Sequence, residues 1–537
     1  MTAGPTPAAT AMEGRLPGPA SDHDARSGGQ LYGDPRDHGL RLVLGLVAAY
    51  AAIHIGFRLL ASWSLGEDDP LENIHVQQLR ALYEPWQPPL YDWVLYLVQR
   101  FTGPNILSFL AIKYAALIAT GGALYAIARK AIGPGITALL AVESLALIYQ
   151  LSWRYHEGYT HQVGAMFAVA ATMWATLRAL ESDKPRDVLW LGLIAGLGVL
   201  TQPVFLVFLV ALAVAVAVEP DARARLFAPR LVLAALPVAA CLGFYVLQSL
   251  AARPAMSASL PAAFAAMLPD WRHALGGFVN AARAPLFYLS PLILIVPLFF
   301  PGFVQRAVQD LTGIAGLSRR RLGDDPSEPG QFERIVLRTS VVGFGISLVG
   351  ASLLGLKGYA SHVFMPLYLT SVVWIMGVVR RTGPTPLSLT RFGRLALAIA
   401  IFALLARLAN MFVLDPVCKI CRWGIPYAGL AEELTRAGAD RGVIVAYDHE
   451  IGGNLRALLP RAIVTLPHGG AAQPVKPASD RSRKVVVWRA TDAPPFAGKA
   501  SSPYLLPGEA LGDVTLVRVP WRHLWRPDGY RHSEWKY

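Results

Sequence analysis

Glu67, Asp68, Asp69 and Glu72 place four carboxylates within six residues, directly after the first long apolar run of the chain. Like charges at this spacing repel one another, and nearby lipid strips them of water. Both effects raise carboxyl pKa values and prepare one group to accept a proton. A solvated loop that merely resists translocation would carry the same acidic residues, but it would not need the aromatic segment downstream of them. The stretch YEPWQPPLYDWVLYLVQRFTG (83–103) gathers Trp86, Tyr91, Trp93 and Tyr96 around Pro88-Pro89. It predicts an amphipathic helix over 88–102, too short to span, opened by proline and lying at headgroup level. An acidic segment held beside lipid by such a helix suits general-base chemistry on a substrate that arrives through the membrane.

Other reactive residue types are scattered along the chain. WRYHEGYTHQV (153–163) sets His161 near Glu157. Its HEGYTH departs from HExxH, so no cofactor is called for and a bound divalent metal is the lesser alternative. Lys113 and Glu143 fall inside apolar runs, where isolated charge is costly. On sequence-adjacent antiparallel helices they are expected to neutralise each other, in preference to a role at a substrate phosphate. Arg154, Arg283, Lys357 and His362 are the cations available on the same side as the acidic stretch. Any one of them taken singly is better explained as a snorkelling interfacial residue. Cys418 and Cys421 form a CxxC just after the last apolar run; two cysteines cannot complete a four-ligand zinc site. A local disulfide is expected there, with a redox-active pair as the alternative, while Cys241 simply packs in a span. Gly452-Gly453-Asn454 matches no phosphate-binding loop and reads as a turn.

The elements that must position these groups are membrane spans. Of 537 residues, 54% are hydrophobic and 16% charged, well below the roughly 25% charged of soluble domains. Apolar runs long enough to cross a ~30 Å hydrocarbon core lie near 41–62, 104–129, 132–151, 160–180, 187–203, 204–219, 229–250, 284–303, 334–356, 361–379 and 391–414. They make a polytopic α-helical membrane protein of about eleven spans, with Pro203 leaving 187–219 open as one broken helix or two. The net charge of +13 sits in short loops between the runs, which is how membrane proteins fix orientation, so nucleic acid is excluded as a partner. The basic loops 181–187, 220–230, 304–333 and 380–394 place the N-terminus in the cytoplasm, with 251–283 the poorest fit. The acidic stretch and everything after 415 then face outward. Residues 1–40 lack periodicity and the layout of a cleavable leader, and read as a disordered cytoplasmic tail. Residues 41–414 form the transmembrane domain, with 63–103 its first outer loop. In 415–537 the runs GVIVAYD, RAIVTLP, KVVVWRA and VTLVRVP, with the helix YAGLAEELTRAG, predict a small α/β domain outside the membrane.

An outer-loop aspartate, then roughly 18 residues, then QPPLYxW resembles the GT-C glycosyltransferases of the family-39 and aminoarabinose-transferase type, which include the dolichyl-phosphate-mannose protein mannosyltransferases. Counting back from Gln87 lands on Asp69, the match for the family's catalytic aspartate; Pro70 stands where the family usually has Glu. The second carboxylate is therefore Asp68, by a shift of one, or Glu72. WRYHEGYTHQV resembles the second outer loop of bacterial members. YASHVFMPLYL (359–369) resembles a late segment in which a basic residue, here His362 with Lys357 upstream, precedes a proline. The resemblance implies a GT-C fold over roughly 40–415 and an inverting transfer of a sugar from a polyprenyl-phosphate donor to a hydroxyl of a lipid, glycan or protein. It implies Asp69, Asp68 or Glu72 as base, and Gln87, Tyr91, His161, Arg283, Lys357 and His362 as substrate contacts, with Lys357 the main phosphate contact and membrane lipids as surroundings. The inner membrane is the implied location. Two other classes fit the composition: a lipid or glycan transporter, which would show inverted repeats and midplane polar residues, and an assembly partner acting through its outer domain. No convincing repeat is present, and the sequence carries no sign of an oligomeric state.

Overall fold

The computed structural model describes residues 35–182, 184–226, 230–252, 271–314, 328–355, 364–412, 427–436, 438–446, 448–466, 484–489 and 514–519. The chain is mostly helical. Its longer helices are α1 (Pro35–Ala61), a short α2 (Asp69–His75), α3 (Leu90–Thr102), α4 (Ile106–Ile132), α5 (Ile136–Glu143), α6 (His161–Glu181), α7 (Pro185–Val199) and α8 (Val204–Val218). They continue with α9 (Pro220–Leu226), α10 (Leu231–Ala251), α11 (Trp271–Tyr288), α12 (Leu292–Phe299), α13 (Phe303–Gly313), α14 (Gln331–Leu353), α15 (Ser371–Arg381) and α16 (Pro386–Phe412).

Among the described residues, six helices (α1, with its apolar part from Gly39, α4, α6, α10, α14 and α16) are long and apolar enough to cross a membrane. Two sharply bent pairs, α8 with α9 and α12 with α13, raise that to eight. This is a multi-pass membrane protein, but helix length alone gives fewer spans than the eleven apolar runs. The difference has local causes. The run 132–151 is cut into α5 and single turns, and the described part of 361–379 holds a single turn, Met365–Tyr368, and the 11-residue α15. The run 187–219 is two helices, because Pro203 cannot continue the ladder. The carbonyl of Leu200, freed at that break, accepts the backbone N–H of Leu90 at 2.9 Å and so fixes the start of α3.

Neighbouring helices pack in a chain: α1 on α4, α4 on α6, α6 on α7 and α7 on α10, while α8 packs on α14 and α14 on α11. Phe205, Phe208, Tyr288, Met173 and Met376 fill the shared core. Arg334, Arg338 and Glu219 are knit together at the end remote from the acidic stretch. Glu219 accepts from Arg334 Nε at 2.8 Å and Nη2 at 2.9 Å and also from Arg338. Arg381 is likewise bonded to both Glu333 and Asp310.

After residue 427 come two helices, α17 (Tyr427–Arg436) and α18 (His449–Leu458), and a four-stranded parallel sheet. Its strands are β1 (Val443–Ala446), β2 (Ile463–Thr465), β3 (Lys484–Arg489) and β4 (Val514–Val519), in the order β2-β1-β3-β4. Val443 pairs with Ile463 on one side and Lys484 on the other. Every expected β-type run is a strand. Gly452-Gly453-Asn454 departs from expectation: it lies inside α18, the crossover helix between parallel β1 and β2, and not in a turn. Asp448 caps that helix by accepting the Glu450 N–H at 2.7 Å. α18 packs against α2, so the sheet and the acidic stretch occupy the same end of the helical bundle.

Glu219→Ala leaves Arg338, 2% exposed, buried without its carboxylate. Removing one partner of a buried pair costs roughly 3–5 kcal/mol. Thermal unfolding of the detergent-purified protein is expected to fall by several degrees, and an unchanged midpoint would show that this network does not brace the bundle.

Candidate active site

The acidic stretch is not a loop. Glu67 has a left-handed backbone (φ 55°), and the chain then turns into α2 with Asp68 at its N-cap and Pro70 in its first turn. Proline is pre-set for that position, which is a local reason for Pro70 where the resembling family has Glu. Gly158 allows the second outer loop to approach: a Cβ there would lie 2.2 Å from the carbonyl oxygen of Gly66. The turn Glu84–Gln87, closed by the Gln87 N–H on the Glu84 carbonyl at 3.1 Å, leads into α3, with Pro89 as its N-cap.

This folding brings α2, α3 and the start of α6 together. Asp69 is 4% exposed and Glu72 7%. His161 Nε2 lies 3.2 Å from Glu72 Oε1 and 3.7 Å from Asp92 Oδ1, and His75 Nδ1 lies 3.5 Å from Glu72 Oε2. The Tyr91 ring stands 5.1 Å from that of His161. Glu72, Asp92 and His161 hold their ligand atoms within 4.8 Å of one another, so these three could seat a divalent cation, or His161 itself could bridge the two carboxyls.

The electrostatics separate the carboxyls. Burial pushes the Asp69 carboxyl up to about 7, against the pull of Lys113. Burial likewise pushes Asp68 up to about 6, helped by Glu72 and Glu67. Burial acts upward on Glu72 too, but His161 and His75 win and hold it well below the usual range. Asp92 is driven well above that range by burial and by Glu72. Glu72 is thus an anion committed to two imidazoles, while Asp69 can take or release a proton near neutral pH.

Beneath α2, cations arrive from three spans. Lys113 of α4, buried in full, donates to the Glu157 carbonyl at 2.6 Å. Arg58 of α1 donates to the carbonyls of Ser62 and Ser64, and Arg407 of α16 to that of His156. Lys113 and Arg58 both act on the charge of Asp69. The His156 ring bonds to the hydroxyls of Tyr50 at 2.6 Å and Tyr114 at 2.9 Å and stacks on His54 at 3.8 Å. The expected Lys113–Glu143 pair does not form: Glu143 faces Gly393 on α16, and Lys113 turns to the Glu157 carbonyl.

Of the residues singled out from sequence, the structure brings together Asp68, Asp69, Glu72, Tyr91 and His161. Gln87 stays at the turn. Arg283 stands apart on α11, bonded to Asn280 Oδ1 at 2.9 Å and lying over Phe287. Arg154 pairs with Glu157. Lys357, His362, Cys418 and Cys421 lie outside the described residues. Sequence reasoning missed Asp92, His75, Arg58 and Arg407. The last two had a readable signal, being charges near one end of apolar runs.

Among solved structures, ArnT from Cupriavidus metallidurans bound to undecaprenyl phosphate aligns with a TM-score of 0.38 at 14% identity, covering 79% of this chain and 86% of that one. Residues 86–247 match the family described as dolichyl-phosphate-mannose-protein mannosyltransferase. RgtB of Rhizobium johnstonii, a lipopolysaccharide core galacturonosyltransferase, is 26% identical over 437 residues, covering 78% of this chain and 81% of RgtB. RgtA of the same organism, described by the same activity, is 26% identical over 488 residues, covering 89% of this chain and 93% of RgtA. The chain is a glycosyltransferase.

In this transferase the raised Asp69 carboxyl can be read directly. The infrared carboxyl band lost on Asp69→Asn is expected to titrate with a midpoint near 7, and not near the ~3.9 of a free aspartate. Lys113 lowers that midpoint, so Lys113→Met should move it upward. A band already ionised at pH 5 would refute this placement of Asp69.

Proposed function

We propose that this glycosyltransferase moves a sugar from a polyprenyl-phosphate-linked donor to a hydroxyl acceptor of a lipid, glycan or protein at the outer face of the cytoplasmic membrane, inverting the anomeric carbon. The observation that carries this function is a buried, proton-accepting carboxyl, Asp69, set against cations that converge from three spans. The acceptor O–H gives its proton to Asp69 as its oxygen attacks the anomeric carbon. The bond from that carbon to the phosphate oxygen breaks, and the lipid phosphate leaves with a second negative charge. Lys113, Arg58 and Arg407 are placed to stabilise that charge as it develops. Glu72, tied to His161 and His75, keeps the acidic helix in place and leaves the proton transfer to Asp69. Asp68 stands beside it as the alternative base.

A cavity of about 290 Å³ runs between α1, α4, α5 and α16, lined by Val43, Leu117, Gly121, Ala396, Tyr50 and Glu143. Its apolar wall suits a polyprenyl chain, and the Tyr50 hydroxyl leads on to His156. The bias of basic loops favours a cytoplasmic N-terminus, and the packing of α18 on α2 favours one outer compartment for the acidic helix and the C-terminal sheet. The activity described for RgtA and RgtB makes a uronic acid donor and a lipopolysaccharide core acceptor the first pair to assay. A sugar carboxylate would find the same cations. Lys357, His362 and Arg283 remain candidates through the family resemblance; Lys113 takes first place from Lys357 as the phosphate contact.

Two assays test this. Asp69→Asn is expected to lower kcat by about 10² to 10⁴, the usual worth of a general base, while the protein still purifies as a folded species. Near-native turnover with Asp68→Asn inactive would move the base by one residue. Mass spectrometry of envelope lipids and glycans, with and without the gene, should reveal a product lacking one sugar.

No cofactor is proposed, and chelation tests that separately. Turnover after dialysis against EDTA is expected to match the untreated enzyme. Loss restored by a divalent ion would instead put a metal on Glu72, Asp92 and His161.

A further inference from the structure

The acidic helix takes much of its support from residues nearly four hundred positions downstream. Asn454 of α18 accepts the Leu65 N–H at 2.7 Å and donates to the Leu65 carbonyl at 3.2 Å. Asn73 donates to the Gly453 carbonyl at 2.8 Å, and Arg456 donates to the Asn73 carbonyl at 2.7 Å. Gln77 pairs with both backbone groups of Val464, at 2.6 and 3.0 Å. Gly453 is required by this approach, since a Cβ there would lie 2.2 Å from the Pro70 carbonyl oxygen. Ile74 belongs to the same apolar cluster as Ile451, Leu455 and Ile444 of the C-terminal unit.

We infer that α18 is a clamp that positions the acidic helix, with Asn454 and Arg456 as positioning residues for Asp69. The inference rests on the proposal that Asp69 is the base. A seven-residue helix is far too short to hold its shape alone in water, and this one carries carboxylates that repel. Leu65 precedes the carboxylates and Asn73 comes after them, so bonds at those two points fix both ends of the segment. A reacting group must be held to within roughly 0.5 Å, which the clamp can do without touching the substrate. The buried cations belong to the spans, so loosening the clamp should misplace the base and leave donor binding alone.

The test uses the full-length protein in lipid nanodiscs carrying Asn454→Ala, Asn454→Asp or Gln77→Ala. Hydrogen exchange followed by mass spectrometry reads the order of residues 65–77, and a polyprenyl-phosphate-linked uronic acid serves as donor probe. Asn454→Ala is expected to speed exchange across 65–77 by about tenfold or more. It should lower kcat by on the order of tenfold to a hundredfold, as a small misplacement does, with donor KM within about twofold. Asn454→Asp, which keeps the acceptor for Leu65, should fall between, and Gln77→Ala breaks the same junction from the acidic side should Asn454→Ala fail to fold. Unchanged exchange in 65–77 overturns the clamp, as does faster exchange with unchanged kcat or a loss confined to KM. A wild-type protein inactive with every donor overturns the proposed activity instead, and the exchange measurement then decides the clamp without it.

Discussion

The burial of the Asp69 carboxyl within the electrostatic reach of the buried Lys113 ammonium governs the site end of this molecule. Either charge alone in such surroundings would be strongly disfavoured; together they are tolerable only if geometry holds them and the remaining donors are bonded. Lys113 meets that condition through the Glu157 carbonyl, which in turn demands that the second outer loop close over α4. Asp69 meets it only in part: its Oδ1 has no hydrogen-bond partner among the described residues. Its native carboxyl therefore holds a proton more tightly than an unfolded one would. Ionisation works against folding, a penalty that appears as pH rises from about 4 toward 7.

The two ends of the bundle treat charge in opposite ways. At the end remote from α2, buried arginines are matched to carboxylates: Arg338 and Arg334 to Glu219, Arg381 to Glu333 and Asp310. Those pairs lock helix to helix. At the site end, Arg58, Lys113 and Arg407 donate to backbone carbonyls, which orient each cation. The first arrangement is structural in effect. The second keeps positive potential directed at whatever anion comes near, with the reorganisation already done in folding.

How much of this is legible in the sequence depends on how local each feature is. The acidic run, QPPLYDW and HEGYTH are contiguous, so their types and spacing mark Asp69, Glu72, Tyr91 and His161 without reference to the fold. Short strands and the α3 helix are legible for the same reason: period and punctuation lie within a few residues. The errors come where a partner lies far away. Sequence adjacency assigns Lys113 to Glu143 because neighbouring spans offer a nearby acid, whereas the actual neighbours come from the first and second outer loops. Gly452-Gly453-Asn454 reads as a turn because glycines usually loosen a helix. Here they stay helical because the clamped segment, at Pro70 and Leu65, must come close. Asp92 is hidden as one polar position of an amphipathic helix, its role set only by which face α3 turns to His161.

The polar atoms left without protein partners point the same way. Asp69 Oδ1, the Tyr91 hydroxyl and His161 Nδ1 are all buried, all unbonded among the described residues, and all at one place. Folded proteins satisfy nearly all such atoms, because each one left over forfeits free energy on the order of 1–3 kcal/mol. Unbonded buried atoms also occur at the other end, on Arg338, Arg381 and Glu333, but there they belong to side chains already held in ion pairs. A sugar hydroxyl can both donate and accept, so three mismatched protein atoms in one pocket are complementary to a carbohydrate in a way that no apolar repacking could be. The local rules of folding are broken where the proposed chemistry needs unspent hydrogen-bonding capacity, and the clamp from the C-terminal unit is what allows them to stay broken without the acidic helix unwinding.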